Sequence, residues 1–451
     1  NKDILKKEIL RNILSEDYFL PSNSDYELSR FVPNYRQDKI IGPRISLQKA
    51  LCGLTNYFGN TQGQVDLNHI EQFKLVPTDK FMKASGQTLT GLEVLPRDYQ
   101  TRQSSLLGYC DKTKTAMGKR HLKKLFMHPH KDIKTIENRQ NVIESLILSA
   151  EKSRDLRDQL SEIRDIERVL TKITLGKGTS HDLLSFSNSF DAYKNIKPIL
   201  DSLNLRKELA SKMNAEADKK LSCLSKIFQD TFNDDPGASL EKRNLIKKGF
   251  HTQRDRLWEL SENSEQSFNQ LETKYLEQTD IPKLKIKRNN IHGHFIEVSK
   301  THSNKIPSYF VRRQTLVNSE RYTTDELSSL DKDALVAKER LQSVEREILT
   351  KNFESFKNES KLVITFCRFI EEVDVLQSLA HIAYLENWSK PKMTSRGQNF
   401  KMIGAWHPLI KKSIGETFVT HDLELNKDCY FGLITGPNMA GKTTVMREVA
   451  I

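Results

Sequence analysis

The sequence predicts a multidomain, mainly α-helical chain. Long antiparallel helices carry a small β module, an α/β remnant precedes them, and the start of a P-loop α/β domain follows. Three observations predict it. From Thr323 to Glu359 apolar residues recur at alternating threes and fours, with no Gly between Gly293 and Gly397 and no Pro between Pro307 and Pro391. Before that helix, "KLKIK" alternates strictly and "HFIEVS" is rich in β-formers. At the far end, "GPNMAGKT", Gly436 to Thr443, fits G-x-x-x-x-G-K-[ST] between a strand-like and a helix-like stretch.

Bulk properties bound what such a chain can be. At 451 residues it exceeds one ordinary domain. A hydrophobic share of 37% suffices for real cores, and 19 Gly with 13 Pro exclude collagen-like and low-complexity readings. No apolar run approaches the roughly 18 residues of a membrane span, and "NKDILKKEIL" has no secretory segment. The first residue is not Met, so the chain reads as a piece of a longer protein, cut at both ends. Its five cysteines, Cys52, Cys110, Cys223, Cys367 and Cys429, form no C-x-x-C pair. That spacing argues against zinc and a disulfide framework and for a reducing compartment. A formal charge of +12 favours polyanionic partners if the charge is clustered.

Taken in order, the first 75 or so residues mix a helical "LQKALCGLTNYF" with loop-like "KIIGPRIS" and turn-like "GNTQGQ", and read as the end of an α/β unit. From about Leu89 to Leu276 the pattern is helical. "TAMGKRHLKKLFMHP" sets Met117, Leu122, Leu125 and Phe126 on one side and stops at Pro129. The next helix starts at Asp132 as N-cap and carries Ile133, Ile136, Val142 and Ile143. Short helices continue through "IRDIERVLTKITL" and "SHDLLSFSNSFDAY". Two long helices follow. Thr252 to Leu276 carries Leu257, Leu260, Phe268, Leu271 and Tyr275, and Thr323 to Glu359 carries Leu327, Leu330, Ala334, Ala337, Leu341, Val344 and Ile348. Paired antiparallel they form a stalk, the second running on the order of 50 Å at 1.5 Å per residue.

The insert between them concentrates the charge. Residues 281–322 hold nine Lys or Arg against two Glu. Lys283, Lys285 and Lys287 share one face of a strand, and Arg312, Arg313 and Arg321 flank a polar loop. Such a face suits a phosphate backbone, and its few aromatics, Phe295, Tyr309 and Phe310, argue against base stacking. His292, His294 and His302 have no metal-ligand context.

In the terminal motif, Gly436 and Gly441 permit the backbone angles that turn successive N–H groups toward phosphate oxygens. A helix starting near Lys442 adds its positive N-terminal dipole. Lys442 supplies charge to the β- and γ-phosphates, and Thr443 a hydroxyl ligand to Mg²⁺. Asp422 and Glu424 precede the loop and take no assigned role.

Specific strings then resemble the MutS family of DNA mismatch repair proteins. "TGPNMAGKTTVMRE" looks like its P-loop. "HGHFIEVS" with "RRQTLVNSERY" resembles its clamp, and "DKTKTAMGKRHLKKLFMHPHKDIKTIENRQNVI" and "DIERVLTKI" are similar to its core. "WHPLI" resembles the opening of its ATPase domain. The resemblance covers residues 90–451 and, weakly, 1–75. It implies a connector end at 1–77, core and lever at 78–262 and 326–390, a clamp at 263–325 and the N-terminal part of the ATPase domain at 391–451. It further implies ATP and Mg²⁺ as cofactors, binding of mispaired duplex DNA, and an ATP-driven switch to a sliding clamp. A homodimer or family heterodimer, partners of the MutL type and no membrane go with it, in the cytoplasm and nucleoid of a bacterium or the nucleus of a eukaryote. Carried over by position, Gly436, Pro437, Asn438, Met439, Ala440, Gly441, Lys442, Thr443 and Thr444 would hold the triphosphate, with Thr443 on Mg²⁺. Phe418 and Val419 would line the adenine pocket. Lys285, Lys287, Arg312, Arg313, Asn318 and Arg321 would face DNA, although Arg321 serves equally well to brace the following helix. The family's mismatch-reading domain with its F-x-E motif is not found in these residues, nor is the rest of its ATPase. The piece alone is therefore expected not to hydrolyse ATP. The alternative within the family is a homologue acting on recombination intermediates. A chromosome-organising coiled-coil ATPase would need far longer arms with the loop near its N-terminus.

Overall fold

The computed structural model describes residues 19–20, 29, 35–37, 40–62, 80–98, 100–209, 213–234, 245–282, 284–289, 293–394, 399–437 and 441–451. In chain order the elements begin with helices α1 Ile45–Gln62, α2 Gly86–Gly91, α3 Leu106–Cys110, α4 Ala116–Met127, α5 Ile133–Leu148, α6 Ala150–Ser161 and α7 Ile166–Thr174. Helices α8 Ser180–Ser202, α9 Ala215–Thr231 and α10 Thr252–Thr279 lead into strands β1 Lys285–Asn289, β2 Gly293–Ser299, β3 Val311–Thr315 and β4 Ser319–Thr323. Then come α11 Asp325–Asn358, α12 Ser360–Leu385, β5 Phe400–Ala405, α13 Pro408–Ile414, β6 His421–Leu425 and α14 Lys442–Ala450. The fold is mainly helical with small antiparallel sheets. The described residues contain no helix long and apolar enough to cross a membrane. Two compact units divide the chain: residues 1–178, 188–221 and 359–451 form the first, residues 179–187 and 222–358 the second.

In the first unit α12 is the axis. Val363, Phe366, Ile370, Val373, Asp374, Val375, Leu376 and Gln377 are all buried, as expected of a helix surrounded by others. Helices α4, α5, α6 and α7 pack against it. The Asp374 carboxylate, fully buried, closes the N-terminus of α4: it accepts from Lys114 N at 2.9 Å, Thr115 N at 2.8 Å and Thr115 Oγ1 at 2.7 Å. Thr115 in turn caps α4 by accepting from Gly118 N at 2.9 Å. Gly118 is required there, since an added Cβ would stand 2.1 Å from Asp374 Oδ2. Burial pushes the Asp374 carboxyl above its ordinary value, against the pull of those bonds.

In the second unit α10 and α11 run antiparallel, since Lys274, late in α10, pairs with Glu326 at the start of α11, and Arg254, early in α10, pairs with Glu345 further along. The buried seam of α11 is Leu327, Ala337, Leu341, Glu345, Ile348, Asn352 and Phe356. That of α10 is Arg254, Leu257, Ser261, Phe268, Leu271 and Tyr275. Leu260 does not join it and is 55% exposed, because the threes-and-fours count from Leu257 lands on Ser261. The four strands form one antiparallel sheet of order β1-β2-β4-β3. Ile296, Val298 and Tyr322 on its inner face join Phe268, Leu271, Tyr275, Phe310 and Leu327 in one core.

Two further expectations change, and a third is untested. Residues 180–202 make one helix that contains Pro198, not short pieces. The helix of "LQKALCGLTNYF" continues through Gly59 to Gln62, so the turn expected at "GNTQGQ" starts no earlier than residue 63. The strands implied by the α/β reading of residues 1–77 lie outside the described residues.

Candidate nucleic-acid interface and phosphate loop

The sheet of the second unit has two unlike faces, set by register. Lys285 lies opposite Glu297, Lys287 opposite Phe295, Glu297 opposite Arg321, and Arg321 opposite Gln314. Cross-strand partners share a face, so Lys285, Lys287, Glu297, Arg321 and Gln314 stand together on the outer one. Arg312 lies opposite Tyr322 on the inner face, before a register shift between Arg312 and Gln314 that sets off Arg313. The bulge separates the two arginines that the sequence groups together.

Pairing divides the cations further. Lys287 Nζ is 2.8 Å from Glu297 Oε1. Arg321 lies over the Phe295 ring at 4.4 Å and donates from Nη1 to Gln314 Oε1 at 2.8 Å. It therefore braces the sheet, not the following helix. Arg312 Nη1 is 3.4 Å from Glu320. Glu320 also accepts a very short bond from the Tyr322 hydroxyl, which holds the carboxyl below its ordinary range, with Arg312 assisting. Burial, and then that bond, push the Tyr322 phenol up to about 12. Lys285, Arg288, Lys300 and Arg313 are exposed and take no ion pair among the described residues. Asn318 is exposed at the corner of the β3–β4 hairpin, and its carbonyl accepts from Lys300 N at 3.3 Å. Lys283 and His292 lie outside the described residues.

The aromatics of the insert are mostly used internally: Phe295 and Phe310 are buried, and the exposed Tyr309 donates to Gln278 Oε1 at 3.0 Å. His294 also has a structural place. Its ring stacks on Phe268 at 3.9 Å and its Nδ1 is 2.5 Å from Asp331 Oδ1. Gly293 beside it has φ +68°, and a Cβ there would meet Asp331 Oδ2 at 2.2 Å. The β1–β2 hairpin is thus seated on α11 at a left-handed position that favours Gly.

Sequence reasoning passed over the buried pair in the stem. Arg254 Nε is 3.0 Å from Glu345 Oε1, with both side chains almost fully enclosed, and the guanidinium lies 4.4 Å over Trp258. Burial raises the Glu345 carboxyl and Arg254 opposes it. The seam spacing carries the signal, since Arg254 stands three residues before Leu257.

In the first unit the candidate phosphate-binding segment is described at Gly436, Pro437 and from Gly441 on, while Asn438, Met439 and Ala440 lie outside the described residues. Gly441 has φ +87° and is the N-cap of α14, which begins at Lys442. Gly436 also has positive φ, +149°. Lys442 Nζ donates to the carbonyls of Gly436 and, at 3.0 Å, of Pro437. The lysine therefore reaches back across the loop's first residues. Thr443 and Thr444 lie in the first turn of α14.

The expected strand over "CYFGLIT" is not found. Residues 429–435 have no ladder partner among the described residues, and Tyr430, Phe431 and Leu433 are 82%, 74% and 78% exposed. A strand is made by its neighbours' N–H and C=O groups, and among the described residues β5 pairs with β6 alone. Phe418 and Val419 fall in the turn leading to β6, with Val419 83% exposed. Asp422 accepts from Gly404 N at 2.7 Å and Glu424 pairs with Lys401 at 3.1 Å, so both carboxylates fasten the β5–β6 hairpin. Among the described residues no group of His, Cys, Asp and Glu is placed to hold a metal ion.

Comparison with known proteins adds the family. The family model for MutS domain III matches residues 87–380. The chain is 32% identical over 403 residues to the DNA mismatch repair protein MutS of Thermotoga petrophila, covering 89% of this chain and 49% of that protein. It is 32% identical over 428 residues to that of Acetivibrio thermocellus, covering 93% and 48%. With that of Persephonella marina it shares 35% over 349 residues, covering 77% and 39%. The chain spans about half, or less, of the length of these curated relatives. It belongs to the MutS family.

Proposed function

We propose that this chain is the core, clamp and nucleotide-loop portion of a DNA mismatch repair protein that grips duplex DNA through the outer face of the β1–β4 sheet. The observation that carries the reading is the set of exposed cations without an ion pair among the described residues, Lys285, Lys300 and Arg313, on a sheet that shares its core with the α10–α11 stem. Phosphates are met by such point charges without reading sequence. Family membership supports the mispaired duplex as substrate, and the relatives carry that activity in their names.

On this reading Gly436 to Thr444 bind the triphosphate of ATP, Lys442 leaving the loop carbonyls for the phosphates and Thr443 taking Mg²⁺. Phe418 and Val419 meet the adenine. The whole protein works as a dimer, switches to a sliding clamp with ATP and passes the signal to MutL-type partners. The long α10–α11 pair is the candidate lever.

Binding of a fluorescent duplex, followed against salt, tests the grip. Replacing Lys285 and Arg313 with Ala is expected to flatten the log–log salt slope by about 0.9 for each lost phosphate contact, evenly across sequences. An unchanged slope contradicts the assignment. Binding of a fluorescent ATP analogue tests the loop, where Lys442→Ala is expected to weaken affinity about tenfold or more. Equal affinity of the variant removes Lys442 from that role.

A further inference from the structure

One acidic residue stands in the middle of the cationic face. The row across the sheet reads Lys285, Glu297, Arg321, Gln314. The Glu297 carboxylate holds Lys287 Nζ at 2.8 Å through Oε1, and its Oε2 stands 3.9 Å from Arg321 Nε. That Nε is buried and makes no hydrogen bond. Of the three outward cations, two are therefore turned toward Glu297, and Lys285 alone, directly opposite it, takes no ion pair among the described residues.

We propose that Glu297 is an electrostatic brake on the duplex grip. It rests on the reading of this face as a DNA site. A phosphate oxygen and the Glu297 carboxylate offer Lys287 the same chemistry, so they compete for it. While the carboxylate holds the lysine, the lysine displaces no counterion from DNA and adds nothing to the sequence-independent affinity. Glu297 is largely enclosed, with 23% of its side chain exposed against 50% for Lys287. The acid is thus fixed and the lysine is the mobile partner. The brake acts equally on every sequence, and its effect is to keep backbone affinity low enough for the protein to move along DNA.

The test is Glu297→Gln in the full chain, measured by fluorescence anisotropy with a labelled duplex from about 50 to about 200 mM salt. The expected result is tighter binding at the low-salt end and a slope steeper by about 0.9. The ratio of affinities at the two salts then widens about threefold. Adding Lys287→Ala to that variant is expected to remove the gain, which a general effect on folding would not do. Should the Gln variant fold poorly, Glu297→Ser serves with the same expectation. An unchanged slope in Glu297→Gln, while Lys285→Ala with Arg313→Ala still weakens binding, overturns the brake alone. If neither set of changes alters binding, the face is not the DNA site and the reading beneath the proposal fails.

Discussion

The β1–β4 sheet and the segment around Gly436–Thr443 carry equally recognisable sequences, yet among the described residues the strands of the first are all paired and the stretch before Gly436 is not. The sheet has every strand paired, its inner face closed on Phe268, Leu271, Tyr275 and Leu327, and Lys287, Arg312 and Arg321 each held by a neighbour. The loop segment has Gly436 and Gly441 at positive φ and Lys442 donating to the loop's carbonyls, but among the described residues "CYFGLIT" lies without a ladder and with its apolar side chains in solvent. A motif specifies local backbone; a strand needs neighbours. The chemistry of phosphate binding can be local, while the sheet that presents it cannot.

Substitutions can break or sharpen this contrast. The largest effect is expected in the stem below the sheet. Arg254→Ala leaves Glu345 buried and unpaired and is expected to cost about 3–5 kcal/mol by urea unfolding. Replacing both residues with apolar ones of similar volume is expected to restore most of it. A loss below about 1 kcal/mol in the single variant means that the stem is not closed as described. Next, Ile296→Ala in the sheet's inner face is expected to cost about 2–4 kcal/mol.

The helical core of the first unit gives a pH-dependent effect of the same order or smaller. Burial pushes the His121 imidazole down to about 4, with Arg139 and Lys124 adding to it, although Nδ1 lies 3.4 Å from Glu371. The unfolded chain, titrating near 6.5, then binds the proton more readily than the folded one. Stability is full above about pH 6.5 and falls as pH drops through the window to about 4, by on the order of 2–3 kcal/mol. His121→Gln is expected to flatten that slope in unfolding curves taken across the window, and an unaltered slope assigns the loss to other groups. Smallest of all, Leu433→Ser in the unpaired segment is expected to change stability by no more than about 0.5 kcal/mol. A loss matching that of Ile296→Ala there erases the contrast between the two regions.

What the sequence made legible follows the same division. Periodicity found both long helices and alternation found β1, because an amphipathic element writes its buried face into residue spacing, while a run of β-formers found β2. Clustered charge found the insert. What stayed hidden is pairing. Glu297 and Lys287 are ten residues apart, and only the β1–β2 register makes them neighbours. Asp374 reaches α4 across 259 residues to bond Thr115, and nothing local marks it. Leu260 misled because a leucine one place off a seam looks like a leucine on it. β5 was missed because "FKMIGA" follows a Pro- and Gly-containing stretch and becomes a strand only against β6.

Lysine footprinting tests the central claim most directly. The chain is acetylated with and without saturating duplex, and modification is read at each lysine by mass spectrometry. Strong protection of Lys285 and Lys300 is expected, and none of Lys134 or Lys152 on α5 and α6. Unaltered labelling throughout residues 284–323, with protection elsewhere, would contradict it.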